Sequence, residues 1–482
     1  MSKIFETHSS MPRSDSFLEE HAMLSNTIAE KRHKSFKKDS EMKINEGEAV
    51  ESSMIRLASV VVLMVGFSEG LTHLASLAIY YLFKDDLGLS PAQVSLLFVA
   101  PAFPWFLKPL FAFYSDSFPI FGLRRKPYLL FFSVLQTFGF ILLGYGVHGV
   151  IGAVLSLFII AFSASFCSAI AEALLVELSQ GLREDASSGV SDFTMAKGVG
   201  SLLVAFFSGY LLETVPKKTV FLTTAFFPLI IFFAALPLKE SIKIPSRNAT
   251  QQFLELLTFL RQRLIWGPVI FILVFMAGPD YDDALFFYYT DVLDFKPSFM
   301  GTLRFTYGMA AIAGALAYRK SMYTTSYRKI LWTSILFSLP IYLSPILLVT
   351  GLNLRLGISN KLFVLSGGFL NEAVAEIQLL PLLVLTACIC PSGLEGSAYS
   401  TMIAVRNLGS ALSKCSSSLL MFALKIDGTH FDHLVAFICI CGCFNLLPFF
   451  FLRQIPTDKE LESVSNKRNS SLLLETPTIL SC

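Results

Sequence analysis

Long apolar stretches separated by short polar connections run along most of the chain. Twelve stretches can be delimited, at residues 57–83, 91–115, 128–147, 149–176, 188–213, 219–238, 264–290, 298–318, 330–350, 362–388, 394–424 and 432–452. Each has about the 20 residues that an α-helix needs to cross a bilayer. None alternates in the manner of a membrane β-strand. The pattern predicts an all-α integral membrane protein with twelve transmembrane helices.

Charged residues are distributed unevenly among these stretches. They occur in stretches 1, 2, 4, 5, 7, 8, 10 and 11, whereas stretches 3, 6 and 9 contain none and stretch 12 has only Asp432 at its first position. A charge that faces lipid costs roughly 2.5–3.5 kcal/mol even on a permissive insertion scale, so intramembrane charges face the protein interior or a wet cavity. Every third stretch is thus the one without charges in its interior. This repeat predicts two six-helix halves around a central cavity, as in secondary transporters built from repeats.

Composition supports the membrane class. The chain is 54% hydrophobic and 15% charged, against about 25% charged residues in soluble domains. The resulting domain prediction is a disordered cytosolic tail at 1–54, an N-terminal half at 55–238, a cytosolic linker at 239–263, a C-terminal half at 264–453 and a cytosolic tail at 454–482.

The basic residues predict the orientation. Most of the 38 lysine and arginine residues lie in the tails and in every second connection. The positive-inside rule then places both termini in the cytosol. We expect the plasma membrane, because no organelle signal is visible. The basic run Lys31–Lys38 suits contact with anionic membrane lipid, while a net charge of +2 argues against nucleic acid as a partner.

A short motif follows stretch 2. Asp116 precedes a turn at Gly122 and the basic pair Arg124 and Arg125. This order resembles the loop 2–3 motif of the major facilitator superfamily, and it predicts a gating role for Asp116, Arg124 and Arg125. Asp116 can pair with a base or stabilise a helix N-terminus, where negative charge is favoured.

Four separated blocks are similar to one branch of that superfamily. They are KDDLGLSPAQVS at 84–95, PWFLKPLFAFYSDSFPIFGLRRKPYL at 104–129, GPDYDDALFFYYTDVLDF at 278–295 and CPSGLEGSAYSTMIAVRNLGSALS at 390–413. Together they resemble the folate–biopterin transporter family over about residues 57–450. The resemblance implies alternating-access transport of folates or pterins, with proton symport. One departure is Glu172, which stands where the family often has aspartate.

Three cations in the apolar stretches are candidates for substrate binding. Lys197 and Arg406 lie near the predicted bilayer midplane, and Arg304 lies in the outer half. Folate ends in two carboxylates, and arginine holds carboxylates by paired hydrogen bonds. The alternative is permanent pairing with acidic residues of the bundle, namely Glu172, Glu372 or Asp283.

Acidic candidates lie in stretches 4, 7 and 10. Asp280, Asp282 and Asp283 follow Pro279, and proline predicts a bend or an unwound turn there. A carboxylate can accept two parallel hydrogen bonds from a pterin edge, as it accepts from base edges. At most two of the four aromatic residues 286–289 are expected to stack on the ring. Glu172 and Glu372 complete the predicted substrate-binding set.

Glu69 and His73 are the candidates for proton coupling. They are four residues apart, on one face of stretch 1. Histidine titrates near neutral pH, and burial favours the protonated form of a carboxyl group. The alternative is a polar contact between helices.

Other functions were weighed against this one. A carrier of another small metabolite, such as a nucleoside, choline or an amino acid, is the nearest alternative, because fold does not fix the ligand. A membrane-bound enzyme is disfavoured, since no HExxH, phosphate-binding glycine loop or GxSxG motif occurs. A transport-dead sensor is disfavoured by the many intramembrane charges. No cofactor and no metal are expected, because Cys439, Cys441 and Cys443 alternate and do not converge on one helix face.

Overall fold

The computed structural model describes residues 54–147, 149–178, 183–238, 240, 263–322, 325–389, 395–428, 430–457 and 460. Nearly all of the predicted tails and of the central linker therefore lies outside the described residues. All of the packing reported below lies in one compact unit, Ala58–Cys482. The predicted division into two halves remains a prediction.

Helices occur at every one of the twelve predicted stretches. Their bounds are α1 Met54–Asp86, α2 Pro91–Ser115, α3 Lys126–Tyr145, α4 Val150–Leu178, α5 Arg183–Thr214, α6 Lys217–Ala235, α7 Arg263–Ala277 with a second piece Asp282–Phe287, α8 Pro297–Ala317, α9 Tyr327–Val349, α10 Asn360–Ile389, α11 Glu395–Ala423 and α12 Leu434–Gln454. A π-turn, Tyr288–Val292, continues the second piece of α7. No β-strand occurs in the described part of the chain, so the all-α class is confirmed.

Nine helical segments in the described ranges are long and apolar enough to cross a membrane. They coincide with α1–α6, α9, α10 and α12. The remaining helices differ in kind: α7 is interrupted after Ala277, and α8 and α11 contain Arg304, Arg406 and Lys414. Charged helices of this kind suit positions that are shielded from lipid. A multi-pass membrane protein is confirmed, whereas the count of twelve crossings remains a prediction.

Two antiparallel helix pairs join the first six helices to the last six. In one pair the α11 residue Ser418 donates to the Ala92 carbonyl at 2.7 Å, and Asn407, also on α11, donates to the Trp105 carbonyl of α2 at 3.2 Å. In the other pair, α5 meets α8 at Gly209 and Gly301. We call the side where α1 begins and α12 ends the terminal side, and the opposite side the distal side.

Buried apolar clusters differ between these sides. The distal cluster contains residues of both helix sets, including Leu77, Phe83, Phe287 and Phe437. On the terminal side one cluster belongs to the first six helices, with Ile170 at its centre, and a separate one to the last six. Within the described residues, the two sets thus share a hydrophobic core on the distal side alone.

Candidate functional site

A cavity of about 310 Å³ lies among the last six helices, towards the distal side. Small-molecule sites usually occupy ~300–1,000 Å³. Its wall includes one carboxylate, one guanidinium and several aromatic rings, from Tyr80, Tyr281, Asp282, Phe286, Tyr289, Arg304, Tyr307 and Phe363, together with Gly367, Gly368 and Asn371. We call this cavity the aromatic pocket.

Glycines of α10 make room for this wall. A Cβ atom on Gly368 would lie 2.5 Å from the Cε1 atom of Tyr307, so only glycine leaves space for that ring. The neighbouring Gly367 lines the pocket itself. A side chain at position 368 would therefore displace the Tyr307 ring from the pocket wall.

The interruption of α7 places its three aspartates in different surroundings. Pro279 has no N–H to donate and ends the first piece of the helix. The Asp280 N–H donates instead to the Ser417 hydroxyl at 2.8 Å, and the Asp282 N–H donates to the Asp280 carboxylate at 3.2 Å. The predicted unwound turn after Pro279 is therefore confirmed, and Asp282 alone of the three lines the aromatic pocket.

Lys414 of α11 binds the other two aspartates. Its Nζ lies 3.0 Å from Asp283 Oδ2 and 3.3 Å from Asp280 Oδ1. Tyr80 donates to Asp283 Oδ1 at 2.8 Å, and the Asp283 side chain is only 1% exposed. Asp283 is thus paired and buried in this state. Lys414 was missing from the predicted site, although an isolated lysine among the serines 413 and 416–418 is a signal that it has a buried partner.

Arg304 and Arg406 have no carboxylate within 4 Å among the described residues. The Arg304 guanidinium lies 5.9 Å from the centre of the Tyr80 ring, on the pocket wall. Arg406 is half-buried on α11, near Glu376. Glu372 follows the pocket residue Asn371 on α10 but does not itself line the cavity. Neither arginine is paired with Glu172, Glu372 or Asp283.

A second charged cluster lies in the first six helices. Lys197 of α5 binds Glu69 of α1, and Lys108 of α2 binds Glu172 of α4 at 2.6 Å. Trp105 lies between the two lysines, because each Nζ is 5.6 Å from a ring centre of this indole. Glu172 therefore pairs with Lys108 rather than with Lys197, Arg304 or Arg406.

Close helix packing brings Lys197 to Glu69. A Cβ atom on Gly70 would lie 2.1 Å from the Lys197 carbonyl oxygen, and one on Gly200 would lie 2.5 Å from the Phe67 carbonyl oxygen. The Glu69 side chain is almost fully buried, and its Oε2 atom has no hydrogen-bond partner in the described part of the structure. His73 lies close enough to Glu69 and Lys197 to interact with both electrostatically.

Of the predicted gating residues, Arg124 and Arg125 lie at the start of α3, and Asp116 lies in the last turn of the helix Lys108–Ser117 that continues α2. The side chain of Asp116 is outside the described residues. Arg125 is buried and donates to the Ser115 hydroxyl at 2.7 Å. The backbone N–H groups of Arg124, Arg125 and Lys126 donate to the Glu240 carboxylate at 2.8, 3.1 and 2.5 Å. Glu240, which no sequence motif indicated, thus stabilises the helix N-terminus where negative charge is favoured. The gating role itself remains a prediction.

The fold is shared with known carriers. The structure is similar to that of the xylose transporter XylE from E. coli in an inward open conformation, with a TM-score of 0.62 at 14% sequence identity, covering 86% of this chain and 100% of that one. Together with the membrane helices, this defines the protein as a multi-pass membrane protein of the major-facilitator fold.

Sequence comparison gives the family. The BT1 family model matches residues 69–471. Folate transporter 2 of Plasmodium falciparum is 49% identical over 412 residues, which cover 85% of this chain and 90% of the relative. The folate-biopterin transporter of Synechocystis is 32% identical over 415 residues, covering 85% and 84%. The chain belongs to the BT1 family of folate–biopterin transporters, as the four sequence blocks predict.

Proposed function

We propose that this protein is a carrier, not an enzyme, that moves folate or pterin compounds across a membrane by alternating access. The aromatic pocket supports this most directly, since it combines aromatic rings with one carboxylate and with one guanidinium that has no ion-pair partner among the described residues. Relatives are named folate and folate-biopterin transporters. We place the terminal side in the cytosol from the distribution of lysine and arginine, and the protein in the plasma membrane.

Asp282 is the residue that we propose to bind the pterin ring by hydrogen bonds. Its carboxylate faces the pocket, whereas Asp283 is held by Lys414 and Tyr80. A carboxylate accepts two parallel hydrogen bonds from an amino-pyrimidine edge, and the ring has aromatic faces for stacking. Of the four aromatic residues 286–289, Phe286 and Tyr289 line the pocket. The sequence favours Asp283 first among the three aspartates for this role, whereas the geometry of the pocket favours Asp282.

The carboxylate tail of folate requires a cation at a distance from this pocket. Tyr80 of the pocket wall and Glu69 lie on the same helix, eleven residues apart, and a rise of about 1.5 Å per residue separates them by about 16 Å. Lys197, which lies next to Glu69, is therefore at a suitable distance to bind the carboxylate tail of an elongated ligand whose ring is in the pocket. Arg406 is the second candidate, because it has no ion-pair partner in the described residues. Glu172 and Glu372 remain proposed members of the substrate-binding set.

We assign the coupled proton to Glu69, with His73 as its neighbour. Lys197 can bind either Glu69 or a substrate carboxylate, and release of Glu69 from Lys197 leaves a buried carboxylate that favours a proton. Proton binding and folate binding would then occur together. Glu69→Gln should abolish proton-driven accumulation while exchange of substrate continues. Accumulation that persists in this variant would contradict the assignment.

Reconstituted protein tests the substrate proposal. Liposomes are given labelled folate or biopterin, each with unlabelled nucleoside, choline or amino acid as competitor. We expect uptake of folate or biopterin that these competitors do not block. Asp282→Asn should weaken both ligands by roughly 30-fold or more, because a charged hydrogen-bond partner is lost at about 2–5 kcal/mol.

A matched control is available in the connection that follows the second piece of α7 and its π-turn. Asp294 is exposed and has a positive φ of 51°, which asparagine tolerates. Asp294→Asn should therefore leave binding unchanged. Competition by a nucleoside, choline or an amino acid would identify a different cargo. Equal binding by Asp282→Asn and Asp294→Asn would remove Asp282 from the site.

A further inference from the structure

Tyr80 joins the two helix sets at the aromatic pocket. Of the residues identified along the pocket wall, it alone comes from the first six helices. Its ring centre lies 4.8 Å from that of Phe286 and 4.9 Å from that of Phe98. The Arg304 guanidinium faces the same ring at 5.9 Å. One wall of a pocket built by α7–α10 thus depends on α1.

The hydroxyl of Tyr80 contacts a different residue from those that its ring contacts. It donates to Asp283 Oδ1 at 2.8 Å, while Lys414 binds Oδ2 of the same carboxylate at 3.0 Å. Asp283 is buried, so the loss of either partner leaves a desolvated negative charge with fewer hydrogen bonds. Nearer the distal side, Lys84 binds Asp291 at 2.5 Å between the same two helices. The α1–α7 contact is therefore held at two points, and Tyr80 makes the deeper one.

We propose that Tyr80 couples occupancy of the aromatic pocket to closure of the distal side. Its ring completes the pocket and its hydroxyl fastens α1 to α7 through Asp283. When α1 moves away from α7 the pocket loses a wall and Asp283 loses a donor, so a ligand in the pocket binds more tightly to the closed form. A ligand shifts a conformational equilibrium by that difference in affinity. The ligand part of this inference rests on the proposed function, whereas the hydroxyl contact does not.

Two substitutions separate the roles of the ring and the hydroxyl. Tyr80→Phe keeps the pocket wall and removes the bond to Asp283, and Tyr80→Ala removes both. Tyr81→Phe is the matched control, because the neighbouring Tyr81 hydroxyl is buried with no hydrogen-bond partner among the described residues. All three variants change the same turn of α1 and keep its charge.

Distances between spin labels at Gly149 and Leu356 report distal opening. Both positions are in distal connections, one in each helix set, and all eight cysteines of the chain are replaced by serine or alanine beforehand. In ligand-free protein we expect Tyr80→Phe to raise the ratio of distal-open to distal-closed molecules about tenfold or more, the effect of a hydrogen bond to a charged group. Saturating biopterin should close Tyr80→Phe again, but should not close Tyr80→Ala.

The outcomes separate this inference from the substrate proposal. If wild-type protein binds neither biopterin nor folate, the proposed cargo is wrong, and the ligand-free comparison still tests the hydroxyl contact. If Tyr80→Phe has the same distances as Tyr81→Phe and wild type, the contact does not hold the distal side closed and the inference is overturned. Should Tyr80→Phe fold poorly, Asp283→Asn tests the same bond, and the double variant should open no further than Asp283→Asn alone.

Discussion

The distal and terminal sides of this transporter are held together by different means. On the distal side the two helix sets share a buried apolar cluster and the Lys84–Asp291 ion pair. On the terminal side each set has its own cluster among the described residues, and nearer the middle of the bundle Asn407 donates to a backbone carbonyl of α2. A state closed on one side and loosely joined on the other is what alternating access requires at one end of its cycle. With the proposed placement of the terminal side in the cytosol, this state faces inward.

Charge placement follows the same division. The buried pair Lys108–Glu172 and the pair Lys197–Glu69 connect helices within the first six. The pair Lys414–Asp283 reaches the other set through Tyr80. The ion pairs within the first six helices therefore stabilise one set by itself, while those near the distal side also stabilise closure. Variants of the two kinds should differ in their effect on conformation, even when they lower stability equally.

The largest expected effect is at Lys414. Lys414→Gln leaves Asp283 and Asp280 without their ammonium partner, and breaking a buried ion pair costs about 3–5 kcal/mol. We expect a lower melting temperature and a distal side that opens more often, read from fluorescence-detected unfolding and label distances. Lys425→Gln, at an exposed position after the same helix, is the control. A large loss of stability with unchanged distances would assign Lys414 to the last six helices alone.

The next largest effect is expected where α5 crosses α8, because the two helices are closely packed there. A Cβ atom on Gly209 would lie 2.2 Å from the Pro297 carbonyl oxygen and 2.9 Å from the Gly301 Cα. Gly209→Ala must separate the helices, and overpacking of this kind costs about 1–3 kcal/mol. We expect transport in liposomes to fall at least tenfold. Gly198→Ala, on the same helix with nothing within 4 Å of its added carbon, should be active; equal activity of both variants would show that the crossing is not tight during transport.

The Lys84–Asp291 pair should have a smaller, reversible effect. Both side chains are partly exposed, at 14% and 33%, and pairs that water reaches contribute about 1 kcal/mol or less. Lys84→Asp should raise the distal-open population several-fold, since two like charges then face each other. Adding Asp291→Lys should restore closure. If the double variant remains open, Lys84 stabilises distal closure through its aliphatic side-chain carbons or through Asp85, and not through Asp291.

The smallest effect should have the opposite sign. Asn407→Ala removes the hydrogen bond to the Trp105 carbonyl near the middle of α2 and α11, a loss of about 0.5–1.5 kcal/mol. The contact lies on the terminal side of the shared apolar cluster, where the two sets approach each other when the distal side opens, so its loss should favour the distal-closed state. Label distances on the distal side should then shorten. Distal opening in Asn407→Ala would mean that the bond stabilises the distal-closed state more than the distal-open state.

Sequence reasoning reached the fold because membrane helices are local features. The apolar stretches, the break after Pro279 and the family resemblance all depend on residues close together in the chain, and all are confirmed. The partners of the charges depend on helix packing. Glu240 lies 114 residues from the Lys126 N–H that it binds, and no periodicity reveals such a distance. Sequence therefore yields the charged residues of the cavity but not their pairing.

The aspartates of α7 also show that sequence does not reveal the partners of charged residues, even over a segment of four residues. Asp280, Asp282 and Asp283 look equivalent in sequence, yet one faces the pocket while the other two bind Lys414. The unwound turn after Pro279 determines which aspartate side chain faces the pocket, because the side chains in this turn do not follow helical periodicity. The three side chains remain predicted members of the site, now with different proposed roles.

The Glu69–Lys197 contact has a consequence for the return of the empty carrier. In the proposed cycle, Glu69 takes the place of the cargo carboxylate whenever the cavity is vacant, so the lysine is never left as an uncompensated charge in a low-dielectric interior. The unloaded protein then crosses between its two states with nearly the same electrostatic composition as the loaded one. Such a carrier is not restricted to swapping one cargo molecule for another, and it can perform net uptake from a single side.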